Sequence, residues 1–389
     1  MSIAVINIGA SHDGSLGGSA LPGDAVVTDG GAIAWIGDSA DLSTADHETV
    51  IDAAGATVVP GLIDSHVHTT FGDFTPRQNT VGFLESYVHG GTTRVISASE
   101  VHVPGRPTDR VGVKALAIAA QRAFQHYRPG GMAVHGGAVI LEPGLTAADF
   151  RELRETGVRF AKGGFGAFPD AEEYVPMVAD AKAAGIVVMC HSGGGSIPGS
   201  KAKIDAELLL KMCPQVAGHI NGGPTSLTAD ENRAIVEEGD GIALQLVQAG
   251  NLRSAIDIAE RALAIGALHR ILIATDTPTG TGVIPLGMLR SMAELASLGP
   301  MTPQQVVTAA TGNVADVYGL DAGRLRVGAP ADLVVLDAPI GSTAADAFGA
   351  LAIGDIPAVA CVVTDGVVRV TRSRNTPPPS KGVTCRTVR

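Results

Sequence analysis

Two textures alternate along this chain of 389 residues. The first sixty positions read as short β-rich runs, Ile3–Ile8, Asp24–Thr28, Ala32–Ile36 and Val50–Ile51, with Asp29-Gly30-Gly31 as a turn and little helical periodicity between them. From Val58 onward, apolar runs alternate with Ala-rich amphipathic stretches, the pattern of parallel βα units. The runs are Gly61–His68, Thr93–Ser97, Met132–Leu141, Val158–Lys162, Ile186–His191, Val216–Ile220, Gly241–Val247 and Ile271–Thr275. Eight such runs are the number that closes a βα barrel. After Leu320 the β texture returns in Leu333–Leu336, Val359–Val363 and Val367–Val370, the last following an Asp365-Gly366 turn. The pattern predicts an α/β fold: a (β/α)8 TIM-like barrel over residues 59–322, with a small β-sandwich domain built from both chain ends, 1–58 and 323–372. Residues 373–389, which include Pro377, Pro378 and Pro379, read as an extended, poorly anchored tail.

Composition narrows the class. Hydrophobic residues make up 45% of the chain and charged residues 17%, a balance that fills a large core and excludes disorder. The net charge of −11, without any run of Lys or Arg, argues against nucleic acid or an anionic membrane as partner. Cys190, Cys213, Cys361 and Cys385 are scattered, with no CxxC pair, which suits a reducing compartment. The N-terminal residues lack the basic and long apolar regions of a signal peptide, and no apolar run reaches the roughly 18 to 20 residues of a membrane span. A cytoplasmic protein is the expectation.

The chemistry is concentrated where the predicted strands end. His66 and His68 close the first run two residues apart, so both imidazoles point to one side, and Asp64 falls on the same side. By itself this HxH is a weak signal, since two hydrogen-bonded histidines would look the same. His191 closes the fifth run, His219 follows the sixth at its end, and Asp276 comes directly after the eighth. In βα barrels the active site is built at the C-terminal ends of the strands. Four histidines and an aspartate therefore converge from four strands, and as purely structural residues each would need a costly partner. Lys162 closes the fourth run, just before Gly163-Gly164. A lysine snorkelling to solvent is the structural alternative. Inside a ring of metal ligands an ammonium would repel cations, whereas the amine carboxylated by carbon dioxide is a negative, two-oxygen group able to bridge two metals.

At this point the residues resemble a known family. The run VVPGLIDSHVH (Val58–His68), the later His191, His219 and Asp276, and the closing segment Gly323–Asp337 are similar to the signature of the amidohydrolase superfamily over nearly the whole chain. More narrowly, the segments Pro104–Pro107, His135–Leu141, Ser196–Ser200, His219–Thr225, Ile284–Gly287 and Ser373–Pro378 resemble enamidases, which hydrolyse 6-oxo-tetrahydronicotinate. The resemblance implies a binuclear centre of Zn, Fe or both: His66, His68 and Asp276 on one metal, His191 and His219 on the other, Lys162 between them. The likeness departs at Ala161–Gly166, where enamidases are expected to place a glutamate bridge; lysine is the common bridge elsewhere in the superfamily. It also implies a homo-oligomer, with tetramers a family habit.

Metal coordination lowers the pKa of water from 15.7 towards about 7 and so provides hydroxide at neutral pH. The expected reaction is its attack on the carbonyl of a small cyclic amide, enamide or imide, with Asp276 carrying the proton to the departing nitrogen. His102, Arg106 and Arg77 are candidate substrate contacts, the arginines as forks for a carboxylate. Taken alone, each arginine reads slightly more readily as part of a surface ion pair. Gln245 and Gln248 either line the pocket or satisfy backbone, and His135, ahead of the apolar part of its run, reads as structural. A lactonase or an N-acyl amino acid hydrolase would use the same centre. An isomerase, a decarboxylase or a non-catalytic scaffold is the reading from other classes, and the full ligand set argues against the scaffold.

Overall fold

The computed structural model describes residues 2–69, 80–99, 106–194, 202–222, 227–278 and 282–388. Both chain ends contribute to two five-stranded sheets. In the first, Thr384–Thr387, Thr49–Asp52, Ser2–Ile6, Ala25–Asp29 and Ala32–Gly37 lie side by side. In the second the order is Ala10–Ser11, Thr57–Pro60, Leu333–Asp337, Ala358–Thr364 and Val367–Val370. A shared core joins residues of the two sheets, among them Ile3, Val26 and Ile51 with Val58, Val335 and Val363. The strand Thr57–Pro60, which straddles the expected boundary at 58/59, pairs antiparallel with Leu333–Asp337.

The tail differs from expectation. Instead of trailing away, it is tied down along its length. Ser373 donates to the His89 carbonyl at 2.7 Å and Asn375 to the Ser86 carbonyl at 2.8 Å. Lys381 Nζ reaches the fully buried Asp337 at 2.7 Å, and Thr384–Thr387 then adds a strand beside Thr49–Asp52. A polar, proline-rich sequence carries no periodic signal, and its anchors are residues remote in sequence.

The eight apolar runs all form parallel strands, but their hydrogen bonds do not run continuously around a circuit. They make a three-stranded sheet, Leu62–Val67, Thr92–Ser97 and Ala133–His135, and a six-stranded one from Val139–Ile140 through Phe160–Gly163, Val187–His191, Val216–Gly218 and Ala243–Val247 to Ile271–Ala274. The break falls inside the third run. Gly136 and Gly137 separate its halves, and the positive φ of 92° at Gly137 turns the backbone, so each half pairs with a different neighbour. The first and eighth strands meet at a single bridge, Val67 with Thr277, supported by Asp276 N donating to the His66 carbonyl and His68 N to the Thr277 carbonyl, both at 2.9 Å.

Helices cover these strands for the expected reason. In Leu252–Ala264 the buried positions are Ala255, Ile258, Ala259 and Ala262, the spacing that lines one helical face, and Asn251 caps the start by accepting from Ser254 N. Arg110–Phe124 repeats the device with Asp109 as cap and Val113, Ala117, Ala120 and Phe124 inward. Among the described residues no helix is long and apolar enough to cross a membrane.

Candidate metal centre

Six side chains from distant parts of the chain meet at the C-terminal ends of the strands. His66 and His68 come from Leu62–Val67 and the residue after it, and Asp276 follows Ile271–Ala274. Asp276 Oδ1 lies 3.1 Å from His66 Nε2 and 3.5 Å from His68 Nε2. One ligand atom from each of these three residues falls within 4.8 Å of the others, a group able to hold a metal ion. Lys162, fully buried, brings Nζ to 3.4 Å from His66 Nε2. The rings of His191 and His219 stand 4.4 Å apart, and His219 is 5.4 Å from His66. Lys162 and His191 share a register across their parallel strands: Lys162 lies opposite Met189, two residues before His191.

The donors fit a cation. Among the described residues neither ring nitrogen of His191, nor Nδ1 of His219, has a hydrogen-bond partner although all three are buried. Such orphaned groups are costly without a ligand. Burial pushes the His191 imidazole down to about 3 and His219 well below its ordinary range, so both are neutral with lone pairs to offer. Burial alone would raise Asp276, but the imidazoles of His66 and His68 hold it well below the usual carboxylate range. Burial also lowers the Lys162 amine to about 8, against the pull of Asp276.

Two of the site residues have strained backbone. His219 and Asp276 are non-glycine residues at φ 38° and 59°, a left-handed region that costs of order 1–3 kcal/mol and persists where surroundings enforce it.

A further layer fixes the ligands. Gln245, fully buried inside the apolar strand Ala243–Val247, bonds through Oε1 to His66 Nδ1 at 2.6 Å and accepts from His219 N at 3.3 Å. Its Nε2 donates to the Ser65 carbonyl and hydroxyl. A backbone N–H demands the oxygen at one end, and a carbonyl demands the nitrogen at the other. The amide therefore has one orientation, and His66 donates from Nδ1, leaving Nε2 unprotonated towards the centre. Ser99 Oγ lies 3.1 Å from His68 Nδ1 and plays the same part. The sequence signal for Gln245 was a polar residue within an apolar strand; Ser99, just past its strand, offered none.

Other expected residues fall elsewhere. Asp64 does not join the centre. It is fully buried, accepts from Thr275 N and Oγ1 at 3.0 and 2.5 Å, and ties the first strand to the eighth; burial raises it to about 7. Arg106, expected to face a substrate carboxylate, instead gives Nη2 to Glu142 Oε1 at 2.6 Å and to the Phe165 carbonyl at 2.9 Å. Glu142 is fully buried, and an internal carboxylate captures the nearest guanidinium. The Arg106 guanidinium also covers the Phe165 ring, which packs edge-on against His191 at 5.7 Å. Ser97 lies buried at its strand end and Gln248 donates its backbone N–H to the Ala274 carbonyl. Arg77, Glu100 and His102 lie outside the described residues.

Comparison with known proteins places the chain in a family. The profile of the amidohydrolase family matches residues 57–371. Enamidase from Eubacterium barkeri is 46% identical over 383 residues, covering 98% of this chain and 99% of its own. The crystal structure of an enamidase superposes with a TM-score of 0.93 at 45% identity, over 99% of this chain and 100% of that one. An imidazolonepropionase from Streptomyces griseus is 28% identical, spanning 81% of this chain and 86% of its own. With a family profile over most of its length and an enamidase alike from end to end, the chain belongs to the amidohydrolase family.

Proposed function

We propose that this protein is a metal-dependent hydrolase that opens a small cyclic amide, enamide or imide, as an enamidase does. The observation that carries the reading is the pair His191 and His219, ring to ring at 4.4 Å, beside the group His66, His68 and Asp276. Three nitrogens of that pair are buried and unpartnered among the described residues. In this reading His66, His68 and Asp276 would hold one divalent cation, Zn or Fe, and His191 and His219 would hold a second. Lys162 would help hold them as a carbamate, formed when its amine adds carbon dioxide and releases a proton. Its burial among imidazoles supports a form without positive charge.

When bound, such cations lower the pKa of water and polarise a carbonyl oxygen. The chain's own residues do the rest. Asp276, a carboxylate beside His66 and His68, takes the proton of the attacking water as the C–O bond forms. It then delivers that proton to the ring nitrogen as the C–N bond breaks, so the product is the substrate plus one water. Phe165, braced by Arg106, walls the centre beside His191. Arg77 remains the proposed contact to a substrate carboxylate and His102 a proposed hydrogen-bond donor to the substrate.

The same reading takes the eight parallel strands as a (β/α)8 barrel over 59–322, with the two terminal sheets as a β-sandwich; the shared core of those sheets supports it. It extends to a cytoplasmic homo-oligomer, with the tetramer that the resemblance implies. The test is metal analysis of the purified protein together with a screen of six-membered lactams and dihydropyridinones. Two metals per chain and an equimolar ring-opened product gaining one water are expected. Faster turnover of lactones or N-acyl amino acids would transfer the reading to those substrates, and an unhydrated isomer as product would overturn hydrolysis.

A further inference from the structure

At the opposite ends of the strands, where Ala133 and Phe160 begin theirs, a cavity of about 160 Å³ opens beside the helix Arg110–Phe124. Phe124 and Phe160 give it aromatic walls, and Arg128 and Arg159 give it two guanidiniums; no carboxylate is among its lining residues. In a chain of net charge −11 this is a local reversal of sign. Gln121 and His135 also line it, and Gln121 Oε1 and His135 Nε2 are buried with no hydrogen-bond partner among the described residues. The arginines are held in place from outside. Arg159 donates to the Tyr318 and Gly319 carbonyls and lies over the Phe160 ring at 5.7 Å. Arg128 donates to the Phe124 and Tyr127 carbonyls, with Asp365 at 3.5 Å from its Nε.

We propose that this cavity is a second ligand site, separate from the metal centre, that binds a small ring-bearing carboxylate between Phe124 and Phe160 with its anionic end towards Arg128 and Arg159. Size supports a ring: an apolar cavity of about 150 Å³ accepts benzene. Arg159 has no carboxylate partner among the described residues and Arg128 has only the half-exposed Asp365, a combination that still favours an anion between them. Half of the wall is apolar, which selects an organic carboxylate over a hydrated inorganic ion, and Gln121 and His135 provide polar partners for a ring substituent. Residues at this end of a βα barrel serve stability, so occupancy acts on the folded state and not on the chemical step. The inference does not depend on the proposed reaction.

Benzoate is the probe, titrated calorimetrically into the full-length, metal-loaded protein, with inorganic phosphate as the comparison. Binding of benzoate is expected, with a melting temperature that climbs with its concentration, and phosphate should bind more weakly. Arg128→Gln should weaken benzoate at least about tenfold, the loss of one charged contact, while lactam hydrolysis stays unchanged. Arg128 is a good site for this change because its side chain is 38% exposed. Absence of benzoate binding overturns the proposal. So does an affinity that Arg128→Gln leaves intact, which would place benzoate elsewhere, the metal centre included. Phosphate binding as tightly as benzoate would equally overturn the preference for a ring.

Discussion

Gln245 Oε1 and His66 Nδ1 stand 2.6 Å apart across 179 residues of sequence, and that bond sets which nitrogen of His66 faces the other ligands. Metal-binding histidines depend on such partners for ring orientation and basicity. Gln245→Leu should therefore lower metal affinity and turnover about 10- to 100-fold without unfolding the protein. Gln245→Glu, which keeps an acceptor, should recover part of the loss. Competition with a chelator reads the affinity and initial rates read the turnover. Equal metal retention in Gln245→Leu and the unaltered protein would remove the residue from this role.

Asp276 is both a proposed ligand and the proposed proton carrier. Asp276→Asn keeps a ligand oxygen but loses the base, so turnover should fall about a thousandfold while most metal stays bound. Elemental analysis beside single-turnover rates separates the two roles. Near-normal rates would exclude the shuttle.

Arg106 serves the buried carboxylate of Glu142 and the wall at Phe165. Removing one member of a buried ion pair costs about 3–5 kcal/mol. Arg106→Ala should thus lower the urea midpoint markedly, with KM changing only as Phe165 moves. A variant of full stability with a large rise in KM would restore Arg106 to the substrate.

His135 gives the fold a pH dependence on the acid side. Burial, with Arg94, Arg159 and Arg128 nearby, lowers its imidazole from 6.5 to about 3. Between those values the unfolded chain binds a proton that the folded one refuses, so stability is whole above pH 6.5 and is lost as the pH falls towards 3. His135→Gln should flatten that slope in denaturation curves taken across the window. A slope unchanged by the substitution would assign the acid sensitivity to other groups.

How much of the molecule is legible along the chain follows from the range of each cause. Apolar runs and the polar residues that end them are local properties, so the eight parallel strands and the six residues His66, His68, Lys162, His191, His219 and Asp276 stand out from the sequence by itself. Their convergence follows because βα units repeat one local geometry. The break at Gly136-Gly137 was less visible. Glycine permits a turn, but only the competing neighbours, one strand on each side, decide that the chain takes it.

Partnerships were decided by tertiary structure alone. The sequence supplied Arg106 as a substrate contact or a surface ion pair, the last seventeen residues as a loose tail, and Asp64 as a companion of His66. Burial reassigned each of them. Glu142, Asp337 and Thr275, all shielded from water, had to find a hydrogen-bond partner within reach, and they took Arg106, Lys381 and Asp64. Such pairing has no signature along the chain, because the unpaired alternative is penalised only once water has been excluded.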